Sequence, residues 1–384
     1  MNLKIELLAD RNIVGVEQIF DGAAKVRLID GRNLNSDSLG DAQALLVRSV
    51  TEVDESLLVN SSVRFVGSAT AGLDHVDIAY LERRGINFVS APGANANSVV
   101  EYIISVLANL PGQLERALSG ECVGVVGCGH VGSLLIKKLD AIGIKCVTYD
   151  PFLSCGENKS LVSFDQLLQC GIISLHTPLT KSGKYPTYHQ FNHSVLESLN
   201  RGTLLINAGR GATIDNDALS RVLVKRDDLQ IVLDVWEQEP GIDADLMRLV
   251  KLATPHIAGY SYDGKLAATK YLYSSFRKFF ESNSAVTSLE TEQPEPLLVA
   301  PSETTEELLR KVINSVYDVR SDDLMMRKKI SHAANPRITQ SVAECFDSLR
   351  KEYPIRRELA AMRWQSDELS MPHKQLMQNL GCRL

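Results

Sequence analysis

The sequence contains no C-x-x-C pair, and its seven cysteines (Cys122, Cys128, Cys146, Cys155, Cys170, Cys345 and Cys382) are an odd number. Neither a disulfide framework nor a cysteine-based zinc cluster is expected from that usage, and reduced thiols are. A long apolar run is also missing. The longest, Val99 to Leu110, is interrupted by Glu101 and is too short to span a bilayer. The first residues, Met1-Asn-Leu-Lys-Ile-Glu6, mix charge into an apolar stretch, so they read as a β-strand rather than a secretory leader, and a soluble, cytoplasmic product is expected. Positive charge is in short supply: 41 Lys and Arg against 47 Asp and Glu leave a net charge of −6 without a long basic run. That balance argues against wrapping nucleic acid or lying on anionic lipid, and leaves small molecules or another protein chain as partners.

The chain is ample for several cores. Its 384 residues, 44% hydrophobic, suggest two to three domains, with no internal repeat. From Leu3 to about Val89, β-rich runs (Ala44-Leu-Leu-Val-Arg48, Val63-Arg-Phe-Val-Gly67, Ile86-Asn-Phe-Val-Ser90) alternate with helical stretches, the pattern of a parallel α/β sheet. After the Pro92-Gly93 turn, Ser98 and Glu101 have the spacing of a capping box at the start of a long crossover helix. A second α/β series runs from Cys122 to about Ile257, with apolar runs at 171–175, 203–207 and 230–234. Residues 290–303 turn acidic and Pro-rich, as linkers do, and 304–384 suffice for a small third module.

Cys122-Val-Gly-Val-Val126 leads into Gly127-Cys-Gly-His-Val-Gly132, then Leu134, Leu135 and Leu139 at helical spacing, then a second strand ending at Asp150, 18 residues past the last glycine. A lone G-x-G-x-x-G is a weak signal, but between a strand and a helix it reads as a dinucleotide site. Gly127, Gly129 and Gly132 permit the tight turn and close approach, His130 and Val131 lie beside the pyrophosphate, and the helix N-terminus offers free N–H groups. Asp150 suits the ribose hydroxyls and would repel a 2′-phosphate, so NAD is expected over NADP. Cys128, at the helix start, reads as a small residue between glycines.

Three later segments supply an arginine, a glutamate and a histidine, each just past a strand-like run: Asn207-Ala-Gly-Arg210-Gly211, Asp234-Val-Trp-Glu-Gln-Glu239-Pro and Thr254-Pro-His256-Ile-Ala-Gly259. Taken singly these would be ordinary surface or loop residues. Behind a dinucleotide motif, at strand ends that converge on one crevice, they fit oxidation of a 2-hydroxy acid. His256 would take the hydroxyl proton, Glu239 would fix its tautomer, Arg210 would hold the carboxylate, and Asp234 could accept from the nicotinamide carboxamide. His189-x-x-x-His193 has the spacing of two helical metal ligands but lacks the accompanying glutamate and a third ligand, so no metal is expected.

Through the glycine loop, His176-Thr-Pro-Leu-Thr180, Asn207-Ala-Gly-Arg-Gly211, Asp234-Val-Trp-Glu-Gln-Glu-Pro240 and Pro255-His-Ile-Ala-Gly259, the chain resembles the D-isomer-specific 2-hydroxyacid dehydrogenases over about residues 3–285. Val47-Arg-Ser-Val-Thr51, Ala69 to Asp77, Tyr185-Pro-Thr-Tyr-His189 and a C-terminal extension point, within that family, to a member acting on a phosphorylated 2-hydroxy acid. The resemblance implies two Rossmann-like doubly wound domains and a small C-terminal α+β dimerisation domain. The expected boundaries are 1–93 with 257–287 (substrate, flavodoxin-like), 94–256 (NAD) and 288–384 (a homodimer contact). It implies that Arg210, Glu239 and His256 are catalytic. By the same resemblance Asp150, Thr177, Ala208, Gly209, Arg210, Asp234 and Gly259 touch NAD, and Ser49, Thr70 and Tyr260 touch substrate. Arg48 and Lys265 are candidates for the phosphate. A dehydrogenase of 3-phosphoglycerate would share the arginine, glutamate and histidine. A dinucleotide sensor without turnover would have no use for a general base.

Overall fold

The computed structural model describes residues 5–154, 160–281, 295–333, 340–365 and 368–384; Cys155 and residues 290–294 of the acidic stretch lie outside these. The other six cysteines are free thiols, with no disulfide among the described residues. The chain divides into two compact units, the described residues of Met1–Asn95 with Tyr260–Gln293, and those of Ala96–Gly259 with Pro294–Leu384.

The first unit is built on five parallel strands, β1 (Ile5–Asp10), β2 (Ala24–Ile29), β3 (Ala44–Val47), β4 (Phe65–Ser68) and β5 (Asn87–Ser90), in the order β2-β1-β3-β4-β5. Strand β3 is buried along its whole length, the near-continuous apolar run expected where helices cover both faces of a parallel sheet. One face packs Leu7, Leu46 and Phe65 against Phe20, Leu272, Tyr273 and Phe276, and the other packs Leu45 and Val66 against Leu57, Leu58 and Leu81. The chain returns to this unit as the helix Tyr262–Phe279, whose start is capped by Ser261 Oγ accepting from the Gly264 N–H at 2.9 Å.

The second unit carries β6 (Val123–Val126), β7 (Cys146–Tyr149), β8 (Ile172–Leu175), β9 (Leu204–Asn207), β10 (Gln230–Leu233) and β11 (Leu252–Ala253), all parallel, in the order β11-β10-β9-β8-β6-β7. Leu161 adds an isolated parallel bridge to Thr148 outside β7. The order reverses between β6 and β8, so the crevice at their carboxyl ends is where a doubly wound sheet binds its ligand.

A short parallel pair, β12 (Leu297–Leu298) and β13 (Trp364–Gln365), and the helices Thr305–Asn314, Val319–Ala333, Val342–Lys351 and Met371–Leu380 make a small C-terminal α+β domain. Its Met326, Ile330, Phe346 and Leu349 share one core with Leu233, Trp236 and Ala253. The two doubly wound sheets and the small domain agree with the fold class expected from sequence.

One local expectation fails. The crossover helix spans Ala96–Asn109, so Ser98 lies inside it rather than at its cap. The Ser98 hydroxyl donates to the Ala258 carbonyl at 2.8 Å, and the Glu101 carboxylate accepts from Asn97 Nδ2 and the Leu359 N–H at 2.9 and 3.1 Å. Ala258 and Leu359, both distant in sequence, took the groups that the spacing assigned to a cap.

Candidate active site

The glycine loop joins β6 to the helix His130–Ala141. Gly127 has φ +88°, and a Cβ there would press on the His176 carbonyl at 3.0 Å; one on Gly132 would collide with the Gly127 carbonyl. Around Gly129 nothing lies within 4 Å of an added Cβ, so the loop faces open space there. Among the described residues no side chain caps the helix, so the first-turn N–H groups at His130, Val131 and Gly132 are available to an anion. Asp150, just past β7, accepts from the Cys128 N–H with one oxygen and the Phe152 N–H with the other, both at 3.0 Å, and so braces the loop.

His176 and Thr177 follow β8 across the switch point, where the His176 N–H donates to the Val126 carbonyl at 2.8 Å. The His176 Nε2 is paired with Ser174 Oγ at 2.9 Å, and burial pushes the imidazole down to about 3, so it is neutral. Its Nδ1 and the Thr177 hydroxyl are closed to solvent and have no hydrogen-bond partner among the described residues. Two orphaned polar atoms beside a glycine cradle and an uncapped helix fit the polar groups of a dinucleotide.

Strands β9, β10 and β11 deliver the remaining groups at their carboxyl ends. After β9, the buried Asn207 side chain accepts from Gly209 N–H (3.1 Å) and donates to the Arg210 carbonyl (3.0 Å), shaping the turn Ala208-Gly209-Arg210. Arg210 Nη1 donates to the Gly209 carbonyl at 2.9 Å. The next residue must be glycine because a Cβ on Gly211 would overlap the Trp236 carbonyl and the Glu237 nitrogen. The arginine turn thus lies directly on the backbone that leads to Glu239.

Glu239 Oε1 meets His256 Nδ1 at 2.5 Å, while its Oε2 accepts from the Trp236 N–H at 3.2 Å. Burial works to raise this carboxyl, but the His256 imidazole, with Arg350 and the Trp236 N–H, holds it below the ordinary carboxylate range. With Nδ1 engaged by a carboxylate, the Nε2 of His256 is the nitrogen left to exchange a proton. His256 itself has φ +56°, a backbone region that L side chains rarely adopt.

Asp234 is 1% exposed. Its carboxylate accepts from Thr254 Oγ1 (2.7 Å), Ile257 N–H (2.8 Å) and Ala258 N–H (2.9 Å), and its carbonyl accepts from the His256 N–H (2.7 Å). A role in holding the histidine loop, which the sequence did not suggest, is therefore visible. Gly259 closes the same segment.

Ser49, Thr70 and Tyr260 belong to the first unit, whereas Arg210, Glu239 and His256 belong to the second. Ser49 is exposed in the turn after β3, and Thr70 follows the neighbouring β4, its hydroxyl paired with Ser68 Oγ at 2.8 Å. Ser68 in turn meets the buried His75 Nε2 at 3.1 Å. Of the phosphate candidates, Arg48 donates through Nε to the buried Asp10 at 3.0 Å, and Lys265 Nζ stands 4.2 Å over the Tyr260 ring. His189 and His193 do not share a helix: His193 begins the helix His193–Ser198 and faces Glu197 at 3.5 Å, whereas His189 bonds Glu237 at 2.6 Å, with Asp215 3.8 Å away.

Comparison with known proteins agrees with this geometry. Residues 107–258 match the D-isomer specific 2-hydroxyacid dehydrogenase, NAD binding domain, and residues 294–381 match a domain of unknown function, DUF3410. Erythronate-4-phosphate dehydrogenase of Pseudomonas fluorescens is 42% identical over 98% of this chain and 99% of its own, and that of Proteus mirabilis is 42% identical over 93% and 94%. Among solved structures, NAD⁺-bound 3-phosphoglycerate dehydrogenase of Entamoeba histolytica superposes with a TM-score of 0.62 at 25% identity, covering 75% of this chain and 99% of its own. NAD is the cofactor, and the glycine loop lies within the matched NAD binding domain. With relatives of that identity over nearly its whole length, the chain belongs to the D-isomer-specific 2-hydroxyacid dehydrogenase family, alongside the erythronate-4-phosphate dehydrogenases.

Proposed function

We propose that this protein oxidises 4-phospho-D-erythronate to (R)-3-hydroxy-2-oxo-4-phosphooxybutanoate with NAD, a step toward pyridoxine 5′-phosphate. The single observation that carries the chemistry is the 2.5 Å contact between His256 Nδ1 and Glu239 Oε1 at the ends of β10 and β11. Arg210, on the adjoining strand end, binds the substrate carboxylate as a fork and fixes the orientation of C2. His256 Nε2 accepts the proton of the C2 hydroxyl, and the Glu239 carboxylate stabilises the imidazolium that results. NAD, when bound at the glycine cradle, supplies the acceptor for the hydride leaving C2. The proton then passes from His256 to solvent, and the 2-oxo acid is released.

Ser49, Thr70 and Tyr260 would contact the rest of the substrate, with Arg48 and Lys265 as cations for its phosphate. Asp150, Thr177, Ala208 to Arg210, Asp234 and Gly259 would contact NAD. The substrate domain would be 1–93 with 257–287, the NAD domain 94–256, and 288–384 a dimerisation domain. In favour of a homodimer, the C-terminal domain exposes Leu298, Leu324, Ile355 and Met371, each by two thirds or more of its surface. A cytoplasmic location fits the free thiols and a soluble cosubstrate; among the described residues no helix is long and apolar enough to cross a membrane. The test is His256→Ala, expected to abolish turnover while still binding NADH. Undiminished turnover would refute the proton-transfer role.

A further inference from the structure

The segment Thr254 to Gly259 carries His256 in a left-handed conformation, and its backbone polar groups are held from two sides. On one side the Asp234 carboxylate takes the N–H groups of Ile257 and Ala258. On the other, the carbonyls of Ile257 and Ala258 accept from the guanidinium of Arg356, Nη1 at 3.4 Å and Nη2 at 3.2 Å, and Ala258 accepts also from Ser98 Oγ at 2.8 Å. Nη2 reaches the Ser98 carbonyl and hydroxyl as well, at 2.5 and 2.9 Å. Two buried charges of opposite sign thus clamp one short loop, and a planar five-donor fork is suited to carbonyls in a fixed array.

Arg356 is itself built in. It is 4% exposed and stacks on the Tyr317 ring with its carbon 3.9 Å from the centroid. The hydroxyls of Tyr317 and Tyr353 both donate to Asp322 Oδ2 at 2.8 Å, which keeps the aromatic wall in place. A second C-terminal arginine, Arg350, lowers the Glu239 carboxyl by its charge. Arg356 lies within residues 294–381, the matched domain of unknown function. The Entamoeba histolytica structure, covered over 99% of its own length, leaves a quarter of this chain unmatched, a share about the size of that domain.

We propose that Arg356 is a positioning residue for the dehydrogenase reaction: the C-terminal domain reaches into the catalytic unit and fixes the carbonyl side of the His256 loop. The proposal rests on the reading of His256 as proton acceptor. The glycine cradle and its helix lie outside this loop, so loosening it moves His256 against the C2 hydroxyl while the main anchorage of the dinucleotide stays in place; of the proposed NAD contacts only Gly259 lies in the loop, with Asp234 beside it. A displacement of about 1 Å at such a distance costs about 10²-fold in rate.

The test uses the full chain with 4-phospho-D-erythronate and NAD, comparing Arg356→Ala, Arg356→Lys and His256→Ala for kcat, KM, NADH affinity and thermal melting. Arg356→Ala is expected to melt cooperatively, to lose about 10²-fold in kcat with NADH affinity within about threefold of the parent, and to regain about tenfold in kcat with added methylguanidinium. Methylguanidinium should do nothing for the parent or for His256→Ala. Should Arg356→Ala not fold, Arg356→Lys keeps the charge but not the fork and should show the same split of kcat from NADH affinity. Parent-like kcat in a folded variant, equal loss of NADH binding, or no rescue of folded Arg356→Ala would overturn the proposal. Unfolding of both variants would overturn it too, by making Arg356 a folding residue. An active His256→Ala removes the underlying reading; an inactive one beside fully active Arg356 variants removes this proposal alone.

Discussion

Glu239→Gln is nearly isosteric, yet the structure leaves the amide no good orientation. If its oxygen stays on His256 Nδ1, its NH2 faces the Trp236 N–H, donor against donor; if it flips, the NH2 donates to Nδ1 and forces the proton onto Nε2, the nitrogen that must accept. The variant also loses the charge that stabilises the imidazolium. With charge centres about 4 Å apart and an effective dielectric near 20, that attraction is about 4 kcal/mol, or about 10³-fold in rate. Part of it is already present in the ground state, so a fall in kcat of about 10²–10³-fold is expected, with NADH affinity unchanged. Initial rates followed by NADH absorbance, with NADH fluorescence for binding, measure both. A folded Glu239→Gln protein with kcat within about threefold of the parent would refute the assignment.

Burial, aided by Glu358 and opposed by Lys138 and Arg356, raises the Glu101 carboxyl from 4.5 to about 7. The folded chain therefore holds a proton that the unfolded chain releases between these values, and stability falls as pH rises through that window. Relative to Glu101→Gln, the parent should lose up to about 3 kcal/mol between pH 4.5 and 8, read from denaturant midpoints; a constant gap would contradict this. Removing the C-terminal domain outright would strip Met326, Phe346 and Leu349 from a shared core, so the proposed dimer is better tested by charges on exposed side chains. Leu324→Asp with Ile355→Asp should halve the mass seen by light scattering, and a persistent dimer would move the interface elsewhere.

Much of the frame was legible because it is local. The apolar runs at 44–48, 63–67, 86–90, 171–175, 203–207 and 230–234 became β3, β4, β5, β8, β9 and β10, each displaced by a residue or two at most. The left-handed φ of Gly127 and the clash of a Gly132 Cβ with the Gly127 carbonyl are likewise properties of the turn itself. What could not be read were partners distant in the chain. Ser98 serves Ala258 rather than its own helix, Asp10 holds Arg48, and Arg356 reaches back about a hundred residues to the histidine loop. None of these pairings leaves a periodicity or a spacing, because each is decided by how elements pack. Asp234 lies between the two cases: its position after a strand marked it as functional, but its three hydrogen bonds to the histidine loop needed the fold to be seen.

Substrate and chemistry are tested together by NADH formation from 4-phospho-D-erythronate and from D-3-phosphoglycerate under identical conditions. A kcat/KM for the four-carbon acid higher by at least about 10²-fold is expected, the discrimination available when a site's buried polar groups are paired by one substrate and not the other. Equal or reversed preference would contradict the substrate assignment, and no NADH from either acid would contradict the function proposed.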